Sequence, residues 1–360
     1  MPRNKKNLLS NMTSMKIGGT LKHVFFPKNI DELAMNLRTI YEQGYNFYVL
    51  GGGTNTILGN QFDDNSSIIN LRDIKKVTFS ESSSKRYQEK SFGYMQVDPG
   101  ADLQNIVNTA YSKHLAKFGQ LNRIPGSIGG AIYGNAGAYG VEIGELVEKI
   151  TVINLKTFFH LCQIAQTNNQ ISTNIILRNS LQVFNKKQSQ FSYRNSIFKS
   201  AKHEFLIVQA RLKSAKLSKK DFIIELENSY HTIAKIRDLN YPKNLKSPGS
   251  TFKNIAINDI SQKSLGLIDK NWIYKNKIPV AKLLNTCDTV NQPINGVKMK
   301  DNHCNILTNQ NSKNTPSTIE DVYNYLGQIK NEVAQKYQII LEEEIRLVDK
   351  FDSVSDIVIG

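Results

Sequence analysis

The stretch from residue 119 to 140, GQLNRIPGSIGGAIYGNAGAYG, holds seven of the chain's 22 glycines. Glycine loses more conformational freedom on folding than any other residue, so such a cluster has to be required by something. Backbone without side chains can turn through left-handed φ. It can also come close to a partner, either other backbone or a ligand carrying phosphate. The window divides into two small-residue loops, 124–131 and 134–140. Two ordinary turns beside a closely packed helix are one explanation. A backbone-lined slot for a large flat cofactor with a pyrophosphate is the other.

A second glycine loop bears on that choice. Gly51, Gly52, Gly53, Thr54 and Asn55 come directly after the short apolar run FYVL at 47–50. The Rossmann fingerprint needs glycine at the sixth position of GxGxxG, where this chain has Thr56. The P-loop pattern also fails, because no Gly-Lys-Ser/Thr comes after it. A tight turn and a phosphate cradle of another kind remain open. Two glycine loops from different regions are what clamping one ligand between two domains would need.

The surrounding pattern mixes strands and helices irregularly, which makes α+β the fold class. Residues 20–27 read as extended. The segment 30–43 puts Leu33, Leu37 and Ile40 on one helical face, and Gly44 stops it. Strands are expected at 47–50, 67–71, 93–97, 149–155 and 205–212, with a helix at 102–114. The stretches 80–91 and 160–190, the latter rich in Asn and Gln, read as exposed loop or insertion. A helix over 219–239 would bury Phe222, Leu226, Ile233 and Ile236. Ser317 and Glu320 have the spacing of a capping box. It would open a helix whose buried stripe includes Val322, Leu326, Ile329 and Val333. LEEEIRLV at 341–348 reads as a closing strand.

Composition excludes more than it selects. No apolar run approaches the roughly 18 residues that cross a bilayer, and the basic opening MPRNKKNLLSNM leads into no apolar stretch. A cytoplasmic protein is expected. Cys162, Cys287 and Cys304 form no CxxC pair and no disulfide framework, which fits buried thiols in a reduced compartment. The net charge of +15 suits nucleic acid or an anionic substrate, and a lysine-favouring genome would also produce it. The lysines form no cluster, and no zinc-finger or RNP pattern occurs, so no nucleic-acid partner is expected. The six histidines have no metal-ligand spacing, and no metal is expected.

LGGGTNTIL, IPGSIGGAIYGNAGAYG, FSYRNSIFK, PGSTFKN and LEEEIR occur in series, after NMTSMKIGG at 11–19. In this order they closely resemble the UDP-N-acetylenolpyruvoylglucosamine reductase family, over about residues 11–348. The resemblance implies a two-subdomain FAD-binding fold of the vanillyl-alcohol-oxidase (PCMH) type, plus a C-terminal α+β substrate domain. The implied boundaries are 1–71 for the first FAD-binding subdomain, rejoined by a C-terminal strand at 341–350, 72–215 for the second, and 216–340 for the substrate domain. It further implies noncovalent FAD, NADPH as hydride donor, a UDP-sugar substrate, a role in peptidoglycan precursor synthesis, and a monomer.

By the same resemblance, FAD would be held by Gly51, Gly52, Gly53, Thr54, Asn55, Pro125, Gly126, Ser127, Gly129, Gly130, Asn135, Ala136, Gly137, Ala138 and Tyr139. Arg194 matches the family's catalytic arginine, Ser250 its proton donor and Glu344 its catalytic glutamate. Tyr193, Lys253 and Asn254 would contact substrate. The chemistry suits those types: a guanidinium grips a carboxylate in a planar fork, and a vinyl ether accepting hydride needs a proton donor. The short spacing from Arg194 to Ser250 resembles the family's shorter subclass. This chain departs from the family pattern at Arg123, at Thr286–Val290 and at Ile255, which stands where the family has a proline. His303 reads as structural. The competing readings are an alcohol-oxidising flavoenzyme on the same fold and a non-catalytic relative.

Overall fold

Asn29 starts the first long helix, Ile30–Gln43, by accepting a hydrogen bond from Glu32 N, and Gly44 ends it at φ +65°. Leu33, Leu37 and Ile40 are fully buried along its inner face. This computed structural model describes residues 7–82, 91–167, 171–201, 203–242, 244–311 and 316–354. The chain resolves into two compact units, Met1–Leu21, Gly53–Asp63 and Asn240–Lys350 in one, Lys22–Gly52, Asp64–Leu239 and Phe351–Gly360 in the other.

The larger unit carries two main sheets and a small two-stranded one, Gly137–Ala138 with Val141–Glu142. Strands His23–Phe25, Ser66–Asn70 and Asn46–Leu50 run parallel, with Ser66–Asn70 in the centre. The second sheet is antiparallel, with Val147–Asn154, Phe205–Ala215 and Phe92–Val97 inside and Leu181–Asn185 and Val77–Ser82 at its edges. The helix Leu103–Ser112, capped by Asp102, packs Leu103, Ile106 and Val107 into this unit's core.

Among the described residues, most of the stretch 160–190 is helix and strand rather than loop. It contains most of the helix Leu155–Thr167, the helix Thr173–Ser180 and the edge strand Leu181–Asn185. The first of these helices has an apolar face: Phe158, Phe159, Cys162 and Ala165 pack with Leu33, Leu37 and Ile40. Of the other segment expected to be loop, residues 80–82 belong to a strand, and 83–90 lie outside the described residues.

The helical stretch 219–239 lies in the larger unit, and its buried face differs from the one that simple periodicity expects. A π-helical turn at Leu226–His231 separates Lys219–Glu225 from Thr232–Asn240. The wider turn rotates the helix beyond it, so Ile233 is buried while Ile236 is 41% exposed.

In the smaller unit, Val322, Leu326, Ile329 and Val333 of the helix Ile319–Tyr337 are buried as the periodicity requires. The capping box lies one residue later than expected, on Thr318 and Asp321. Ser317 turns inward instead, bonding the Asn295 carbonyl and the Asn309 side chain. The closing strand is short, Arg346–Val348, and runs parallel to Thr56–Leu58. Cys162 and Cys287 are buried and Cys304 half-buried, all as free thiols. Burial pushes the first two up to about 12 and about 11. No helix among the described residues is long and apolar enough to cross a membrane.

Candidate active site

In the larger unit the first half of one glycine loop meets the other. A Cβ on Gly52 would stand 2.7 Å from Gly126 Cα, and one on Gly51 would clash with Ser127 Oγ. Ser127 caps the short helix Ile128–Tyr133, and its Oγ accepts from Gly52 N at 3.2 Å as well as from Gly130 N at 3.5 Å. Gly126 has φ +115°. Much of the glycine requirement is therefore loop against loop. Arg72 adds a bond to the Gly52 carbonyl at 3.0 Å.

Gly130 and Gly134 are different. A Cβ on either would meet nothing closer than 3.6 Å, and Gly130 is exposed. Here a side chain would meet only ordinary contacts, so packing within the protein does not account for these two glycines. A cofactor held by its pyrophosphate fits such residues: neutral, small and lined by backbone. In the smaller unit the loop continues with Gly53, whose φ is +65° and whose missing Cβ leaves room for the Met12 carbonyl.

Arg194 stands on a two-residue turn. Ser192 and Asn195 exchange backbone hydrogen bonds at 3.1 and 3.0 Å, leaving Tyr193 and Arg194 at the tip. Arg194 has φ +55°, a left-handed conformation that bulky L-residues adopt at a cost. Its guanidinium donates to the Gly137 carbonyl at 3.1 Å and lies 5.3 Å from the Tyr193 ring centre. The buried Asn135, itself at φ +45°, holds this turn: its Nδ2 donates to Ser192 O at 2.8 Å and Glu142 Oε2 at 2.6 Å, while its Oδ1 accepts from Gly144 N. Asn135 and Gly137 thus stand under Arg194, Ala136 and Ala138 are half-buried, and Tyr139 is exposed. Pro125 is exposed and Gly129 packs on Pro99.

Ser250 and Glu344 come together in the smaller unit, 94 positions apart in the chain. Ser250 pairs with Ile306, and Thr251 O accepts from Glu344 N at 2.7 Å and from Ile345 N at 3.4 Å. That double convergence bends the chain at 344–345, so the closing strand begins only at Arg346. Glu344 is half-buried, and Asn55 Nδ2 donates to its carbonyl at 3.0 Å. Lys253 N donates to Glu342 O, and the Lys253 ammonium pairs with the Glu342 carboxylate. Asn254 is exposed, with Oδ1 accepting from Val280 N. Burial pushes the His303 imidazole below its usual range, and Lys300 adds to this.

Sequence reasoning missed Arg72, Ser127 as a shared acceptor, and Asn305, whose side chain bonds both backbone groups of Phe252. A serine before a helix is a readable cap signal. Arg72 and Asn305 carry no local signature.

Residues 21–157 match the family model described as an FAD binding domain, and residues 241–348 match the C-terminal domain of UDP-N-acetylenolpyruvoylglucosamine reductase. A UDP-N-acetylenolpyruvoylglucosamine reductase of Solibacter usitatus is 28% identical, covering 94% of this chain and 95% of the relative. One of Aquifex aeolicus is 26% identical over 96% and 95%. The chain belongs to the UDP-N-acetylenolpyruvoylglucosamine reductase family. The solved reductase from Thermus caldophilus shares the fold of this family member at a TM-score of 0.61, with 18% identity over 95% of this chain and 97% of that one. The glycine loop at 51–55 and that at 124–131 both fall inside the FAD-binding match, and Ser250 and Glu344 inside the reductase match.

Proposed function

We propose that the chain reduces the enolpyruvyl group of UDP-N-acetylglucosamine enolpyruvate to give UDP-N-acetylmuramate, in peptidoglycan precursor synthesis, with NADPH as the source of electrons. FAD, when bound, would supply the hydride chemistry needed at the terminal carbon of the enolpyruvyl double bond. Gly51–Asn55, Gly126–Gly130 and Asn135–Tyr139 would hold that cofactor, mostly through backbone.

Charge then develops on the adjacent carbon and its carboxylate. Arg194 grips the carboxylate with a planar, permanently charged fork. Ser250 delivers the proton to the adjacent carbon. A serine hydroxyl is a weak acid, and it serves because the acceptor is strongly basic. Glu344 polarises the carboxylate end of the substrate. Tyr193, Lys253 and Asn254 orient the sugar nucleotide, whose diphosphate suits the positive net charge.

The observation that carries this reading is the shared frame of Ser250 and Glu344 about Thr251, inside the segment matched by the reductase's C-terminal model. The test separates the two half-reactions. Ser250→Ala should leave flavin reduction by NADPH intact and slow reoxidation by the enolpyruvyl substrate by several orders of magnitude, on the order of 10³-fold or more. Equal losses in both half-reactions would remove Ser250 from the proton-donor role.

A further inference from the structure

The segment carrying Ser250 lies between two other chain segments, and Asn305 closes it on one side. On the other side, Thr251 O accepts from Glu344 N at 2.7 Å, and Lys253 N donates to Glu342 O at 2.9 Å. This pairing turns both backbone polar groups of Phe252 away from 342–344, into a buried place where Phe252 is 1% exposed. Backbone pairing with the strand His303–Asn309 reaches only as far as Thr251 N, which donates to Asn305 O at 2.8 Å. The Asn305 side chain then continues the ladder by one peptide. Its Oδ1 accepts from Phe252 N at 2.9 Å and its Nδ2 donates to Phe252 O at 2.9 Å.

A carboxamide has the donor and acceptor of a peptide group in the same plane, which is why it substitutes for a missing strand. Asn305 is 5% exposed, so water is a poor replacement. Without this amide, both polar groups of Phe252 lose their partners, and the peptide frame between Ser250 and Glu344 loses one of its two edges. A misplacement of about 1 Å in a reacting group lowers a rate by about 100-fold.

We propose that Asn305 is a positioning residue of the reduction: its carboxamide fixes the Thr251–Phe252 backbone and, through it, the Ser250 hydroxyl and the Glu344 carboxylate for proton delivery. This rests on the reading of Ser250 as the proton donor. Asn305 acts through the backbone, without touching substrate.

The test compares Asn305→Ala and Asn305→Asp with the parent and with Ser250→Ala, all as FAD-loaded full chains. Asn305→Asp keeps the acceptor for Phe252 N–H and loses the donor at neutral pH, so it retains shape if the alanine variant folds poorly. In both variants the rate of flavin reduction by NADPH should stay within about twofold of the parent. Flavin reoxidation by the enolpyruvyl substrate should slow by about 100-fold in Asn305→Ala and less in Asn305→Asp. The solvent deuterium isotope effect on reoxidation should rise, because proton delivery becomes the slower step. A role in folding alone would not raise that isotope effect. Reoxidation at the parent rate, or slowed with an unchanged isotope effect, overturns the proposal while leaving Ser250 in place. If Ser250→Ala itself reoxidises at the parent rate, the reading of Ser250 fails and the Asn305 proposal fails with it.

Discussion

Arg194 donates from its guanidinium to the Gly137 carbonyl at 3.1 Å, so the side chain proposed to grip the substrate's carboxylate is anchored on a loop proposed to hold the cofactor. A guanidinium carries several N–H donors in one plane, more than this anchor uses. A lysine keeps the charge and loses the fork. Arg194→Lys should therefore bind FAD as the parent does and lose about 10²–10³-fold in kcat, the usual loss for one transition-state donor. A kcat within about threefold of the parent would show that charge alone suffices.

Asn135 is the brace beneath that turn. Replacing it by alanine strips the partner from the buried Gly144 N, in a place where Asn135 is 1% exposed, while Ser192 O keeps its bond from Asn195 N. Each buried group left unpaired costs about 1–3 kcal/mol. Alanine would also have to keep the left-handed φ of +45°, which asparagine tolerates better and glycine without penalty. Asn135→Ala should be destabilised by about 2–4 kcal/mol in urea unfolding, and Asn135→Gly by about 1 kcal/mol less. Equal midpoints for the two variants would mean that the backbone conformation carries no strain.

Arg123, a departure from the family pattern, has a structural explanation. Its backbone is left-handed at φ +62°, its N–H donates to Gln104 Oε1 at 2.7 Å, and its side chain pairs with Asp238 at 3.1 Å. Arg237 in turn donates to the Arg123 carbonyl at 3.0 Å. The ion pair is about half-exposed and contributes at most about 1 kcal/mol. Arg123→Ala loses the pair and keeps the strain, whereas Arg123→Gly loses the pair and relieves the strain. The glycine variant should unfold at higher urea than the alanine variant, by about 1 kcal/mol, with kcat unchanged in both. An alanine variant as stable as the glycine one would rule out strain at this position.

What the sequence made legible were patterns short enough to be read along the chain. Leu33, Leu37 and Ile40 repeat every turn, Gly44 ends their helix, and the glycine loops stand out by composition. Illegible were relationships that only folding creates. The helix 155–167 reads as polar because its outer residues include Lys156, His160, Gln163 and Gln166, while Phe158, Phe159 and Cys162 meet a helix more than 100 positions earlier. Thr318, not Ser317, became the cap because Asn295 and Asn309 claimed the serine from elsewhere in the fold. At the candidate site, Ser250 and Glu344 are singled out only by family motifs. Their shared partner Thr251 and the brace Asn305 are tertiary facts with no spacing to announce them. The union of 219–239 with the larger unit rests on Arg123, Asn122 and Lys117 bonds of the same kind.

Glu332 offers a pH-dependent test of the smaller unit. Burial alone would raise its carboxyl, but hydrogen bonds from Lys336, the Thr289 hydroxyl and the N–H groups of Thr289 and Asp288 outweigh that and hold it at about 2, against an ordinary 4.5. A folded-state value below the unfolded one means that the stabilisation is complete above about 4.5 and is lost as pH falls toward about 2. The full shift would correspond to about 3 kcal/mol, and solvent screening of the partly exposed Lys336 partner reduces the expected contribution to about 1–2 kcal/mol. Glu332→Gln keeps one acceptor oxygen and cannot carry the charge. Urea unfolding at about pH 7 should therefore find it about 1–2 kcal/mol less stable than the parent, with the gap closing between about pH 4.5 and about pH 2. A gap of constant size across that range would assign the loss to packing rather than to the ionised carboxylate.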